Sequence, residues 1–264
     1  MATMFARAGD YERYIGRWSA RLGRTFADFV SLKDGDRVLD VGCGTGSLIE
    51  AIVRSTTSTR IVGIDPVEAF VEHSRARFPD PGIQIDQGSA FELPYPDGSF
   101  DRTLSLLVLM LIAQPDKAAG EMRRVTKPGG TVAACTWDGV GPEMSAIVWE
   151  EMIKLDPSAE ARAERLKHCN GKGELAALWH ATGLANVEET MIDMRTDFES
   201  FDDYWSPFLA GVGPTGSYVA GLPQDRRDAL AAALRKRLLA GRSDGPISLG
   251  ARAWAVRGIV SGAR

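Results

Sequence analysis

Apolar residues in the first stretch of the chain fall at Tyr11, Ile15, Trp18, Leu22, Phe26 and Phe29, at spacings of 4, 3, 4, 4 and 3. That spacing places them on one face of a helix over about residues 10–31. Tyr11, Tyr14 and Arg17 stand where they could also reach a ligand. The pattern then alternates strand and helix. Residues 37–41 (RVLDV) form a short β-rich run that meets a glycine loop, and a helical run follows over 47–53. A second strand covers 60–64 (RIVGI) and ends at Asp65-Pro66, before a helix with Val67, Phe70, Val71 and Phe78 inward. The third strand is 83–87. The turn Asp97-Gly98-Ser99 precedes the fourth, 100–109, and a helix follows with Ala118, Ala119, Met122 and Val125 on its apolar side. Lys127-Pro128-Gly129-Gly130 stops that helix, and 131–136 reads as a fifth strand. Strands alternating with helices at this spacing predict an α/β fold, a parallel sheet covered on both faces.

After Trp137 the regularity loosens. Residues 143–155 and 173–182 read as helices, 186–198 as strand-like. The run 222–240 has a proline near its start, acids early, bases late and a glycine after it, which is a helix signature. The alternation in 247–260 (ISLGARAWAVRGIV) predicts a final strand. The glycine-rich run 209–217 (LAGVGPTGS) reads as a mobile loop or lid. No polar linker divides the chain, so 1–264 is expected to form one domain. Its parts are a helical cover (1–35), a cofactor-binding half (36–138) and substrate-covering helices with the final strands (139–264).

Composition narrows the class. The chain has 264 residues, 44% hydrophobic and 25% charged, with a net charge of −4. That balance belongs to a globular protein and argues against nucleic-acid binding driven by bulk charge. Cys43, Cys135 and Cys169 are too few and too scattered for a disulfide framework, and no zinc-ligand spacing appears, so no metal is expected. The N-terminal residues lack the apolar core of a signal peptide, and the longest apolar run, 104–113, is half a membrane span. The expectation is a cytoplasmic protein with no membrane span.

The sharpest feature is VLDVGCGTG at 38–46, with Gly42, Gly44 and Gly46 between a strand and a helix. Glycine permits the tight turn and lets a ligand approach the backbone, while the helix start offers free N–H groups. Asp65, 19 residues past Gly46, would accept hydrogen bonds from both hydroxyls of a ribose. The cofactor expected is therefore adenosine-bearing. The dinucleotide fingerprint is GxGxxG, but here the spacing is GxGxG and its last position is Ser47. Asp40 would repel a pyrophosphate and attract an ammonium or sulfonium. S-adenosyl-L-methionine meets that description.

VLDVGCGTG, then IVGID, LPYPDGSFD, a helix and VTKPGG resemble the class I S-adenosylmethionine-dependent methyltransferases, over about residues 36–138. Within them the chain is similar to the group containing the ubiquinone and menaquinone C-methyltransferases (methyltransferase type 11). The resemblance implies a Rossmann-like, doubly wound, mostly parallel seven-stranded sheet with an antiparallel last strand and helical cap insertions. It also implies a residue map. Asp40, Gly42, Gly44 and Thr45 would line the methionine part, Asp65 the ribose, Pro66 and Val67 the adenine side, Ser89 and Ala90 the adenine edge. Leu106 and Leu107 would pack under the cofactor. Two departures stand out. Many relatives carry Asp at the Ser89 position, and many carry a histidine shortly after the Leu106 position, where this chain has Met110-Leu111-Ile112. His73, His168 and His180 lie elsewhere, so no catalytic residue is named.

Methyl transfer is an in-line displacement in which the cofactor carries the reactivity and the protein aligns the partners. Without a placed base, the acceptor expected is a small apolar or aromatic molecule whose nucleophile is already reactive. Trp18, Tyr204 and Trp205 are the aromatic candidates for facing it. Two other readings stay open: a non-catalytic S-adenosylmethionine-binding protein on the same fold, and an NAD-dependent dehydrogenase. A nucleic-acid methyltransferase is disfavoured, because no Asn/Asp-Pro-Pro-aromatic motif ends the fourth strand. The oligomeric state and the identity of the acceptor are not readable from the sequence.

Overall fold

In the computed structural model, residues 9, 12–57, 60–139, 141–164 and 169–262 are described. Tyr11 and His168 lie outside the described residues. Strand β1 (Arg37–Val41) is buried at every position after its first. A strand covered on both faces reads as a continuous apolar run rather than an alternating one. Around it run β2 (Arg60–Asp65), β3 (Ile83–Gln87), β4 (Phe100–Leu106), β5 (Thr126–Trp137), β6 (Ala185–Phe198) and β7 (Ile247–Ile259). The seven strands are ordered β3-β2-β1-β4-β5-β7-β6. β1 to β5 pair in parallel, and β7 runs antiparallel to both its neighbours. This is the doubly wound sheet with an antiparallel last strand. The chain order reverses between β1 and β4, so a crevice opens at their carboxyl ends, where ligands bind in such sheets.

The two faces of the sheet carry separate cores. Val38 belongs to one cluster and Leu39 and Val41 to the other. By the period of two, Asp40 points to the same face as Val38. That face is covered by α1 (Arg17–Val30), entered through a π-turn at Glu12–Gly16, and by α2 (Ser47–Ser55). Trp18, Leu22, Phe26 and Val30 of α1 are buried at intervals of one helical turn. A side chain at Gly23 would come within 3.3 Å of the Ser47 carbonyl, so α1 lies close against the start of α2. α3 (Glu68–Arg77) extends this cover on the β2–β3 side, with Val71 in the same cluster as Val38. The other face is covered by α4 (Pro115–Val125) and α7 (Glu174–Ala181), numbered after α5 (Glu143–Leu155) and α6 (Glu160–Glu164). Trp179 of α7 is fully buried there, its indole N–H donating to the Val132 carbonyl.

Three boundaries differ from the sequence reading, each for a local reason. β4 ends at Leu106 because Leu107 takes a left-handed backbone (φ 63°). β5 begins at Thr126, and the Lys127–Gly130 stretch is carried as an irregularity where pairing steps from Phe100↔Thr126 to Arg102↔Thr131. The run 209–217 is not wholly a loop. Helix α9 (Gly213–Ala220) starts inside it, with proline in the first turn, where its missing N–H costs nothing. Before it stands α8 (Phe201–Leu209), and after it α10 (Gln224–Leu239). Together with α5 these helices form the cap over the β1/β4 crevice. No described helix is long and apolar enough to cross a membrane.

Candidate functional site

The glycine loop leaves β1 at the reversal point of the sheet. Gly42, Gly44 and Gly46 all take positive φ (77°, 53° and 89°), where L-residues are strained. Two of them also answer to packing. A Cβ on Gly42 would sit 2.4 Å from Val108, and one on Gly46 would sit 2.3 Å from Phe78. Gly44 differs: nothing lies within 4 Å of its added Cβ. It faces open space, the place for a ligand to pass over the backbone.

Beneath the loop is a cavity lined by Ser19, Asp40, Gly42 to Thr45, Ser47, Leu48 and Leu106. Asp40 is 1% exposed, and neither carboxylate oxygen finds a hydrogen-bond partner among the described residues. Burial, and secondarily the charge of Asp65, push its pKa up to about 8. The hydroxyls of Ser19, Thr45 and Ser47 are likewise buried and unpartnered among the described residues. Each orphaned polar group costs about 1–3 kcal/mol, so four residues left this way in one cavity point to a ligand that pairs them. An acceptor carboxylate, hydroxyl donors and the N–H groups at the start of α2, gathered in one cavity, complement an ammonium and a carboxylate. That is the zwitterionic end of an amino acid. Ser19 and Ser47 were not among the residues read from the sequence. A small hydroxyl on an amphipathic helix carries no signal until α1 is seen against the loop.

Asp65 ends β2 and is 6% exposed. Its two oxygens accept from the Gly44 and Val67 N–H groups, both at 2.9 Å. Burial raises its pKa, against the lowering effect of those two bonds. Each carboxylate oxygen has a second lone pair, so the group can still receive two hydroxyls. Pro66 follows it at the mouth of the crevice, its carbonyl receiving the Gln87 amide. Ser89 and Ala90 lie just past β3, both half-buried. The Ser89 hydroxyl accepts from the Phe91 N–H at 3.1 Å, so its own proton remains to be donated. Tyr95 donates to Asp86 at 2.8 Å on the same edge.

Leu106 and Leu107 divide the site. Leu106 lines the loop cavity, while Leu107 lines a second, larger cavity of about 690 Å³, its open mouth included. Its apolar walls include Ile15, Met110, Leu111, Trp137 and Pro214. The left-handed Leu107 backbone, with its N–H donated to the Cys135 carbonyl at 2.7 Å, turns the chain so that consecutive side chains serve the two spaces. Such strain in a non-glycine residue is concentrated at functional positions.

The aromatic candidates Trp18, Tyr204 and Trp205 do not line this cavity, which corrects that expectation. Tyr204 is fully buried and donates to the Met144 carbonyl at 2.8 Å. Trp205 packs against Phe201 and Phe208, and Trp18 meets Phe198 edge-on at 5.5 Å. Tyr204 thus ties α8 to α5, and Trp18 packs α1 against β6. The aromatic residues that do face the cavity are Tyr14 and Trp137. His73 sits on α3 and His180 on α7, neither in its wall. Among the described residues no cluster of three His, Cys, Asp or Glu side chains is placed to hold a metal ion.

Residues 39–134 match the model of a methyltransferase domain. An uncharacterized 37.1 kDa protein in transposon Tn4556 of Streptomyces fradiae is 33% identical over 147 residues, which is 55% of this chain and 40% of that protein. The chain spans about half the length of the curated relatives it matches. Among solved structures, the YcgJ protein of Bacillus subtilis superposes with a TM-score of 0.60 at 22% identity, covering 94% of this chain and 100% of that one. Phosphoethanolamine N-methyltransferase 2 of Haemonchus contortus, solved with phosphomonomethylethanolamine and S-adenosylhomocysteine, gives 0.60 at 16% identity, covering 97% of this chain and 57% of that one. At these identities the structural likeness establishes the fold.

Proposed function

We propose that this chain, which carries a methyltransferase domain over residues 39–134, uses S-adenosyl-L-methionine to methylate a small apolar or aromatic acceptor by in-line transfer. The observation that carries the reading is the buried, unpartnered Asp40 carboxylate beneath the glycine loop, facing unpartnered hydroxyls across one cavity. Bound there, the cofactor supplies a methyl group on an electrophilic sulfonium. Asp40 would hold the ammonium, and Ser19, Thr45, Ser47 and the start of α2 the carboxylate. Asp65 would receive the ribose hydroxyls, Gly44 give the backbone clearance, and Pro66, Ser89 and Ala90 border the adenine. Leu106 and Leu107 would pack beneath, with the acceptor on the Leu107 side. In this reading residues 36–138 form the cofactor half of one domain, and 1–35 and 139–264 its covers.

The chemistry asked of the protein is alignment. Holding two reactants in register can supply about 7–11 kcal/mol of a barrier in favourable systems. The acceptor cavity offers no carboxylate, imidazole or amine among its described wall residues, so its nucleophile is expected to arrive reactive. A phosphorylated acceptor, of the kind the Haemonchus enzyme was solved with, would meet no cation in this wall. Asp40 also weighs against a dinucleotide, since a buried carboxyl group ionises for a cation and offers a pyrophosphate no counter-charge. Titration calorimetry tests the choice: S-adenosylhomocysteine binds one per chain and NAD⁺ does not. Binding of NAD⁺ alone would overturn the reading.

A further inference from the structure

The acceptor cavity is mainly apolar; besides the Asn170 amide, which donates to the Gly139 carbonyl, its polar side chains are three hydroxyls from three separate cap elements. Tyr14 comes from the π-turn before α1, Ser145 from α5 and Thr215 from α9. All three line the cavity and all are buried, at 6%, 4% and 3% exposure. Tyr14 Oη lies 3.1 Å from Ser145 Oγ, and the Thr215 hydroxyl lies close enough to act on the Tyr14 pKa. Behind them the Trp149 indole N–H reaches Thr215 Oγ1 at 2.9 Å.

An indole N–H can only donate. Thr215 Oγ1 is therefore an acceptor towards Trp149, and its own proton is not used in that bond. Four donors (one indole and three hydroxyls) meet in two hydrogen bonds, Trp149 to Thr215 and the Tyr14–Ser145 pair. The Tyr14–Ser145 pair keeps one proton to give, on Ser145 if Tyr14 donates to it and on Tyr14 if Ser145 donates instead. Either way the pair presents a hydroxyl donor to the cavity. Burial raises the Tyr14 pKa, so its phenol stays neutral and serves as a donor rather than a base.

The rest of the wall removes other substrate classes. No Asp, Glu, Lys, Arg or His is among the described lining residues, so an ionised acceptor would be desolvated without a counter-charge. A wholly apolar molecule would leave the spare hydroxyl proton buried and unpaired.

From this we propose that the cavity takes an uncharged, mainly apolar acceptor bearing one hydrogen-bond-accepting oxygen, a ketone or ether in kind, anchored by the Tyr14–Ser145 hydroxyl pair beside Thr215. The inference rests on the methyltransferase reading, which it deepens by naming the acceptor class. Tyr14, Ser145 and Thr215 are positioning residues in it: they fix where the acceptor oxygen lies, and so which atom is turned towards Leu107 and the loop cavity.

Three probes on one ring system separate the possibilities: 1-acetylnaphthalene, naphthalene and 1-naphthoate. Each is titrated into the intact chain by tryptophan fluorescence, with and without saturating S-adenosylhomocysteine. The ketone is expected to bind roughly fivefold more tightly than naphthalene, the worth of one neutral hydrogen bond, and the carboxylate not to bind. Tyr14→Phe and Ser145→Ala should each abolish the ketone's advantage while leaving naphthalene affinity and S-adenosylhomocysteine affinity unchanged. Naphthoate binding as tightly as the ketone, or a ketone advantage that survives both Tyr14→Phe and Ser145→Ala, would overturn the proposal. The arm without S-adenosylhomocysteine separates the two claims. Failure of that cofactor product to bind refutes the methyltransferase reading, whereas the order of the three probes refutes or supports the acceptor class by itself.

Discussion

The Asp40 and Asp65 carboxylates share the space under the glycine loop closely enough that the charge of Asp65 opposes the ionisation of Asp40. Burial is the larger cause, and the two together raise Asp40 from its ordinary value of 3.8 to about 8. The folded chain therefore keeps a proton that the unfolded chain loses near pH 4. The stability this group contributes is present below that pH and is lost as pH rises through about 8. A bound ammonium reverses the balance and drives the proton off. S-adenosylhomocysteine binding at pH 7 should thus release protons, approaching one per site. Calorimetry in two buffers of different ionisation enthalpy reads this directly, and equal apparent enthalpies would count against it. Asp40→Asn should flatten the fall in melting temperature between pH 4 and 8 and weaken binding.

Ser19 tests the amino-acid end of the site separately. Its hydroxyl is buried and unpartnered on α1, across the cavity from the loop. Ser19→Ala should weaken S-adenosylhomocysteine binding roughly ten- to a hundredfold, the loss of one hydrogen bond to a charged group. It should leave 5′-methylthioadenosine, which lacks the amino-acid arm, unaffected. An equal loss for both ligands would show that Ser19 does not address the arm.

The loop glycines divide by role, and alanine substitution separates them. At Gly42 the new Cβ meets Val108 at 2.4 Å, so Gly42→Ala should destabilise the chain by about 1–3 kcal/mol. Val108→Ala should recover part of that loss. Gly44→Ala meets nothing within 4 Å and carries only the cost of its positive φ, about 1–2 kcal/mol. Its methyl group nevertheless enters the space given to the cofactor. Thermal melts should therefore register Gly42→Ala most strongly, and ligand titrations Gly44→Ala.

Trp205 and Tyr204 behave as structure rather than as contacts with the acceptor. Trp205→Ala should cost about 3–5 kcal/mol of stability, as large-to-small changes in an aromatic core do. Tyr204→Phe should cost about 1 kcal/mol, the loss of one buried hydrogen bond to the Met144 carbonyl, which keeps its helical partner. Chemical denaturation measures both. A change in probe affinity at unchanged stability would return them to the acceptor site.

The strands and the glycine loop were legible in the sequence because each is governed by local rules: continuous apolar runs for covered strands, and glycine where φ turns positive. Asp40 and Asp65 were legible because they stand at strand ends set by those runs. Leu107 marked the end of β4 only in the structure, since nothing in LSLLVLMLIA signals a left-handed residue. The acceptor cavity was not legible. Its wall gathers Tyr14, Leu107, Ser145 and Thr215 from segments far apart in the chain, and only the tertiary packing of the cap brings them together. Aromatic content pointed to Trp18, Tyr204 and Trp205, but large rings in a cap of short helices are first needed to hold that cap. The run 209–217 read as a lid because its glycines were visible, whereas the helix that begins at Gly213 is anchored by burial of Thr215 and Val219.

The account stands most directly on the site formed by the glycine loop and Asp65. The decisive measurement is titration calorimetry of S-adenosylhomocysteine against the intact chain and against Asp65→Ala, with circular dichroism to confirm that both are folded. The account predicts one saturable site on the intact chain. It also predicts roughly a hundredfold or greater loss in the variant, the worth of two hydroxyls no longer received by a carboxylate. No binding to the intact chain, or unchanged affinity in a folded Asp65→Ala, would contradict it.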